Sequence, residues 1–232
     1  MKKALLILNS KKFTTYSYFR MKEYRIIYST DVENKNEQYI NELIKDYDLV
    51  IIGGGTQHLT KNEIGNYKEI FFLKQIIECC EKRNKLLIGI CLGCQLIAQH
   101  YGCEIKELEF EQIGYNYLDT SNLNMKEIEK DKFLSDIDYK KLKGAFSFHK
   151  DYICFDENDK VNSELTVIAE SINDLPYIIK HKNKQIYGFQ QHPEHTQETL
   201  GRIIKIFQID EDKNILNEEI NVNFFDSFIN NL

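Results

Sequence analysis

Gly89-Ile90-Cys91-Leu92-Gly93-Cys94-Gln95 follows the apolar run Leu86-Leu87-Ile88 and leads into the helical pattern Leu96-Ile97-Ala98-Gln99-His100. A glycine two residues before a cysteine and another two after it make the cysteine form of a nucleophile elbow. The chain turns there from strand into helix, and bulk at either flank would clash. Such a turn lifts the sulfur above the sheet edge. It also sets the sulfur at a helix N-terminus, where the dipole favours negative charge. Cys91 therefore reads as a thiol nucleophile. Buried cysteine packing is the plain alternative for a lone cysteine.

Working outward from the elbow, apolar runs alternate with helical patterns. Ala4–Leu8, Tyr24–Tyr28, Leu49–Ile52 and Leu86–Ile90 read as strands. Glu37–Asp46, Tyr67–Arg83 and the elbow helix to about Tyr101 read as helices. That alternation predicts a parallel sheet flanked by helices on both faces. Right-handed crossovers then put the Gly53-Gly54-Gly55-Thr56 loop and the Cys91 turn at one carboxyl edge, where open sheets bind ligands. After Gly102 the elements become short and strand-like: Ile105–Phe110, Ile113–Leu118, Gly144–Phe148, Leu165–Ile172 and Tyr177–Lys180. Asn183-Lys184 predicts a turn from the last of these into Gln185–Gln191 as a hairpin. Thr196–Phe207 reads as a helix with Thr196 as N-cap. Phe224, Phe225, Phe228, Ile229 and Leu232 recur at helical spacing and predict a tail helix docked on the body, with a partner-binding face as the alternative. No internal boundary interrupts the pattern. The chain reads as one domain over 1–232, its tail from 210 to 232 packed on it.

Gly188-Phe189-Gln190-Gln191-His192-Pro193-Glu194 is the second informative stretch. A thiol nucleophile needs a base and a third group to orient that base. One residue between His192 and Glu194 in extended chain puts both on one side, and Pro193 stiffens the spacing. Together, Gly-x-Cys-x-Gly-x-Gln and a downstream Gly-x-Gln-x-His-Pro-Glu resemble the class I, triad-type glutamine amidotransferase domain. The resemblance runs from about Lys3 to Gln208, and its motif style is closest to the GMP-synthetase-like members. It implies a flavodoxin-like α/β fold, an open and mostly parallel sheet with a smaller antiparallel region in the second half.

The resemblance also assigns roles. Cys91, His192 and Glu194 become the catalytic set. An oxyanion needs two backbone amides; Leu92, following the nucleophile, supplies one. By the family match Gly55 supplies the other, although Thr56 stands where the family usually has proline. Gln95 matches the family glutamine that contacts substrate. Ser147-Phe148-His149-Lys150-Asp151 resembles the family segment that lines the glutamine pocket, so Ser147, Phe148 and His149 are implied in substrate binding. His149 is a rival base, but only His192 carries a paired acid. His195 and His58 read as loop histidines. Cys91 and Cys94 also have redox Cys-x-x-Cys spacing, but that reading leaves His192 and Glu194 unexplained; Cys94 reads as core. The cysteines fit no common metal set, and the implied chemistry needs no metal or organic cofactor.

Composition bounds the rest. The 232 residues are 42% hydrophobic with a formal net charge of −6. They can build a sizeable core but predict no general affinity for nucleic acid or an anionic membrane surface. Met1–Leu8 imitates a signal peptide, but the apolar run stops at Asn9-Ser10-Lys11-Lys12, too soon for one. Six cysteines without dense spacing suit a reducing cytoplasm. Three readings follow. The first is a glutaminase acting on glutamine and feeding a separate acceptor synthetase in trans. The second is a free-standing γ-glutamyl hydrolase or peptidase acting on another γ-glutamyl compound. The third is a non-catalytic regulatory domain, against which the intact cysteine, histidine and glutamate stand.

Overall fold

The computed structural model describes residues 3–9, 23–31, 36–60, 68–135, 139, 144–155, 163–195, 197–207 and 229. The first half runs β1 (Ala4–Leu8), β2 (Tyr24–Tyr28), α1 (Glu37–Lys45), β3 (Leu49–Ile52), α2 (Lys68–Lys82), β4 (Leu86–Ile90) and α3 (Leu92–His100). The second half runs β5 (Glu104–Tyr117), α4 (Met125–Ile128), β6 (Gly144–Cys154), β7 (Leu165–Glu170), β8 (Pro176–His181), β9 (Ile186–Phe189) and α5 (Gln197–Phe207). Seven strands form one sheet in the order β2-β1-β3-β4-β9-β8-β7, and β5 pairs with β6 in a second sheet. The five strands from β2 to β9 are mutually parallel; β8 and β7 add antiparallel pairs. The fold is thus α/β, with a mostly parallel central sheet and a small antiparallel one, as the sequence predicts.

Strand periodicity divides the core. Leu6 and Leu8 of β1, Leu49 and Ile51 of β3, and Ile88 and Ile90 of β4 join one cluster. Leu5, Ile7, Val50, Ile52 and Leu87 join the other. Successive side chains point to opposite faces, so a continuous apolar run is what a doubly covered strand requires. The apolar faces of α1, α2 and α3 all pack on the second cluster. The first is covered instead by Leu118, Ile128, Phe133, Leu134 and Tyr139, with Ile229 against it. The expected helices on both faces therefore reduce, among the described residues, to three long helices on one side and the short α4 with its neighbouring segment on the other.

Two expected strands, Ile105–Phe110 and Ile113–Leu118, are one long β5 whose register against β6 shifts between Glu107 and Gln112. The continuous partner explains the fusion: β6 extends past Phe148 to Cys154, keeping Ser147, His149, Asp151 and Ile153 buried at alternate positions. The hairpin through Asn183-Lys184 forms as expected, β8 pairing antiparallel with β9. Helix α5 occupies the expected range; Thr196 and the tail outside Ile229 lie outside the described residues. Among the described residues no helix is long and apolar enough to cross a membrane.

Candidate active site

The two glycine motifs lie side by side. Gly89 of β4 is the register partner of Gly188 of β9. A Cβ on Gly89 would sit 2.5 Å from the Gly93 carbonyl carbon and oxygen; one on Gly188 would sit 2.6 Å from Cys94 Sγ. A Cβ on Gly93 would run into the Ile52 carbonyl. All three glycines let α3 lie directly on the sheet, and this fixes the elbow. Cys91 takes φ 50° and ψ −107° at the N-cap of α3. A left-handed φ is costly for a non-glycine residue and persists where the surroundings over-determine it. Cys91 is 4% exposed. Cys94 is fully buried, its thiol pushed up by burial with Cys91 and Cys103 nearby. Both are free thiols, and Cys94 packs as the sequence predicts.

Strand β9 carries the second motif to the elbow. The Cys91 amide donates to the Phe189 carbonyl at 2.8 Å, and the His192 amide to the Phe146 carbonyl at 2.8 Å. His192 Nδ1 donates to Glu194 Oε1 at 2.8 Å. The Cε1–Nε2 edge of the ring and Cys91 Cβ border the same point beside Gly54, where an added Cβ would lie 3.5 Å from both Nε2 and Cys91 Cβ. Burial opposes a charge on His192, but the Glu194 carboxylate and the Cys91 sulfur together outweigh it and raise the imidazole to about 10. Burial likewise works against the Glu194 carboxylate, and the adjoining His195 and His192 rings, His192 through its hydrogen bond as well, overcome it and hold the group below its ordinary value.

Across the edge, the Gly53–Thr60 segment is pinned twice. Asn9, at the end of β1, donates Nδ2 to the Gly53 carbonyl at 2.7 Å and to the Gly54 carbonyl at 3.2 Å. The buried Asp151 carboxylate accepts from the Leu59 amide at 2.5 Å, Thr60 Oγ1 at 3.0 Å and His58 Nδ1 at 3.3 Å. Gly55 lies against Leu92, whose Cδ2 a Cβ there would overlap at 2.6 Å. Among the described residues no backbone acceptor takes the Gly55 or the Leu92 amide.

These parts wall a cavity of about 310 Å³, lined by Cys91, His192, Gly55, Gln95, Phe148 and His149 among others. It lies at the lower end of the ~300–1,000 Å³ range of small-ligand sites. Gln95 Nε2 donates to the Asp151 carbonyl at 2.7 Å. His149 Nδ1 donates to that same carbonyl at 3.0 Å. Burial and the His192 charge depress His149 to about 4, so it is a neutral ring, and among the described residues no carboxylate accepts a hydrogen bond from it. Ser147 does not reach the cavity wall: it is fully buried, and its Oγ has no partner among the described residues.

Two residues read as loop histidines belong to the site. His58 lines the cavity and bonds Asp151; His195 lines it and stacks on His192, ring centroids 4.8 Å apart and planes 12° from parallel. Asp151 ties β6, the Gly53–Thr60 segment and Gln95 together. Its place two residues beyond His149 on the alternating face of β6 was the signal available in the sequence. Asn9 gave a weaker one, a polar residue directly after a buried strand. His192, Glu194 and His195 are close enough to share a metal ion, their donor atoms within 4.8 Å. His192 Nδ1 is already taken by Glu194 Oε1 at 2.8 Å, and His195 Nε2 lies 3.8 Å from the same oxygen.

A parallel α/β sheet with a strained cysteine at a strand-to-helix turn, facing a histidine–glutamate pair, defines the class as cysteine-elbow proteins. The glutamine amidotransferase class-I profile matches residues 6–210. The chain belongs to that family. It is 32% identical over 199 residues to a glutamine amidotransferase-like protein of Acanthamoeba polyphaga mimivirus, covering 85% of this chain and 80% of that one. It is 28% identical over 197 residues to the glutamine-hydrolyzing GMP synthase subunit of Methanothermobacter thermautotrophicus, covering 84% of this chain and 91% of that one. A solved glutamine amidotransferase from Thermotoga maritima superposes with a TM-score of 0.72 at 18% identity over 98% of this chain and 96% of its own, a likeness of fold.

Proposed function

We propose that the protein hydrolyses the side-chain amide of glutamine at Cys91 and passes the ammonia to an acceptor enzyme in trans. The observation that carries the reading is the His192 ring, bonded by Glu194 on Nδ1 while its Cε1–Nε2 edge and Cys91 Cβ border the same point beside Gly54. That arrangement suits a thiolate–imidazolium pair. The Cys91 sulfur attacks Cδ of the substrate, and the carbonyl oxygen becomes an oxyanion facing the Leu92 and Gly55 amides. The His192 imidazolium gives its proton to the amide nitrogen. The C–N bond breaks, ammonia leaves, and a γ-glutamyl thioester remains on Cys91. Neutral His192 then takes a proton from water as its oxygen adds to the thioester carbon. Collapse breaks the C–S bond, returns the proton to the Cys91–His192 pair and releases glutamate. Glu194 fixes the tautomer and stabilises the imidazolium. His149, neutral and with no carboxylate bonded to it among the described residues, is placed to shape the pocket.

Membership of the family and the GMP synthase relative support a synthetase that accepts ammonia as partner. One observation favours the free-standing γ-glutamyl hydrolase as a second reading: the Gly53–Thr60 segment is pinned by Asn9 and Asp151 within this chain, with no partner needed to order it. Turnover on glutamine and on a γ-glutamyl dipeptide, with and without host lysate, separates the two. Weak glutaminase that lysate raises is the expected result. Strong, lysate-independent cleavage of the dipeptide with little glutamine hydrolysis reverses the order.

A further inference from the structure

The geometry points to His195 as a positioning residue that fixes the plane of the His192 imidazole by stacking on it. The inference rests on the reading of His192 as the base. His192 is held along its edges, by Glu194 on Nδ1 and by the Gly54 loop beside Cys91 at the Cε1–Nε2 edge. Edge contacts alone leave a ring free to tilt about the axis that joins them. A face contact removes that freedom, and His195 supplies it. A turn in which the His195 amide approaches the His192 carbonyl at 3.4 Å folds the chain back and lays one ring on the other.

The stack is itself backed. Phe146 of β6 accepts the His192 amide through its carbonyl and sets its ring 6.3 Å from His195, tilted by 56°. At the ring's Cε1 edge Gly54 comes so near that a Cβ there would lie 2.7 Å from His192 Cε1 and 3.5 Å from Nε2. The imidazole is thus bounded by the Gly54 loop at its Cε1 edge and by the His195 ring on one face. His195 is 4% exposed, and its Nε2 lies 3.8 Å from the same Glu194 oxygen that His192 bonds. Two imidazoles beside one carboxylate cannot both carry charge at low cost. Burial, despite the attraction of Glu194, depresses His195 to about 4. It therefore presents a neutral aromatic face to a ring that gains and loses a proton in each turnover. Favourable stacking of offset aromatic rings is worth ~0.5–1.5 kcal/mol beyond area burial, enough to narrow a torsional well without locking the ring against proton transfer.

The test compares His195→Phe, which keeps an aromatic face and removes the nitrogens, with His195→Gln, which keeps a polar group and removes the face. His195→Leu removes both, and His192→Ala serves as reference. Steady-state kinetics on L-glutamine and on a γ-glutamyl dipeptide are read with the thermal midpoint of each variant. The expected pattern is kcat within about threefold of the parent for Phe and a ~10–100-fold fall for Gln and Leu. KM should stay within about twofold and thermal midpoints should agree between Phe and Gln. If Leu fails to fold, the Phe–Gln comparison carries the test alone. Activity kept by Gln and lost by Phe overturns the stacking role, as does a kcat fall that tracks the thermal midpoint. Full activity in every His195 variant with a dead His192→Ala removes the inference and spares the proposed function. A harmless His192→Ala removes both.

Discussion

Replacing Gly54 by alanine tests the site through one methyl group. The new carbon would lie 2.7 Å from His192 Cε1 and 3.5 Å from Nε2. Optimal carbon–carbon separation is ~3.5–4.0 Å, so the ring must withdraw by ~0.8 Å or the loop must lift. The ring is restrained by Glu194 at 2.8 Å, by its own amide on the Phe146 carbonyl, and by His195 across its face. The loop is restrained by Asn9. Either movement separates His192 from Cys91. A misplacement of ~1 Å costs on the order of 10²-fold in rate, so Gly54→Ala should lower kcat by ~10–100-fold. Overpacking costs ~1–3 kcal/mol, so urea unfolding must accompany the kinetics to show that the protein is still folded at the assay temperature. Turnover within about threefold of the parent, by a folded variant, refutes the close fit of Gly54 against His192.

Other outcomes follow from the same structure. Asp151→Ala strips acceptors from the Leu59 amide, Thr60 Oγ1 and His58; a buried donor left unpaired costs ~1–3 kcal/mol, and a urea-derived loss below ~0.5 kcal/mol contradicts the hub role. His149 and His195 are both depressed to about 4 from 6.5, so each contributes stability that is whole above pH 6.5 and is lost as pH falls toward 4. Each accounts for up to ~3 kcal/mol, and His149→Gln should flatten that acid limb in urea titrations; an unchanged slope would refute it. His192 works in the opposite sense: raised to about 10, it stabilises below pH 6.5 and that contribution fades as pH rises to 10. Gly201, in α5 with nothing within 4 Å of an added Cβ, should gain ~0.5–1 kcal/mol as alanine; destabilisation would mean that the helix packs differently.

Much of this was legible in the sequence because it is local. The flanks Gly89 and Gly93 encode the elbow, and the offset of His192 from Glu194 encodes their bond. The continuous apolar runs of β1, β3 and β4 encode burial on both sheet faces. The parts that were not legible depend on contacts between distant segments. Nothing in His195 alone says that a turn will lay it on His192, since an isolated histidine after a proline-containing stretch fits a loop equally well. Asp151 shows an alternating position but not its partners, which lie about ninety residues earlier at Leu59 and Thr60. The single long β5 was hidden because the alternation through Leu108 and Phe110 breaks at Glu111-Gln112 before Ile113, at the end of the register shift between Glu107 and Gln112.

The nucleophile is tested most directly by covalent labelling. A glutamine analogue with an electrophilic carbon in place of the amide is added briefly, and the intact mass and a peptide map are recorded. The expected result is one adduct per chain, on Cys91, protected by excess glutamine and strongly slowed in His192→Ala. Preferential labelling of Cys79, Cys80 or Cys103, or undiminished turnover by Cys91→Ser, would contradict it.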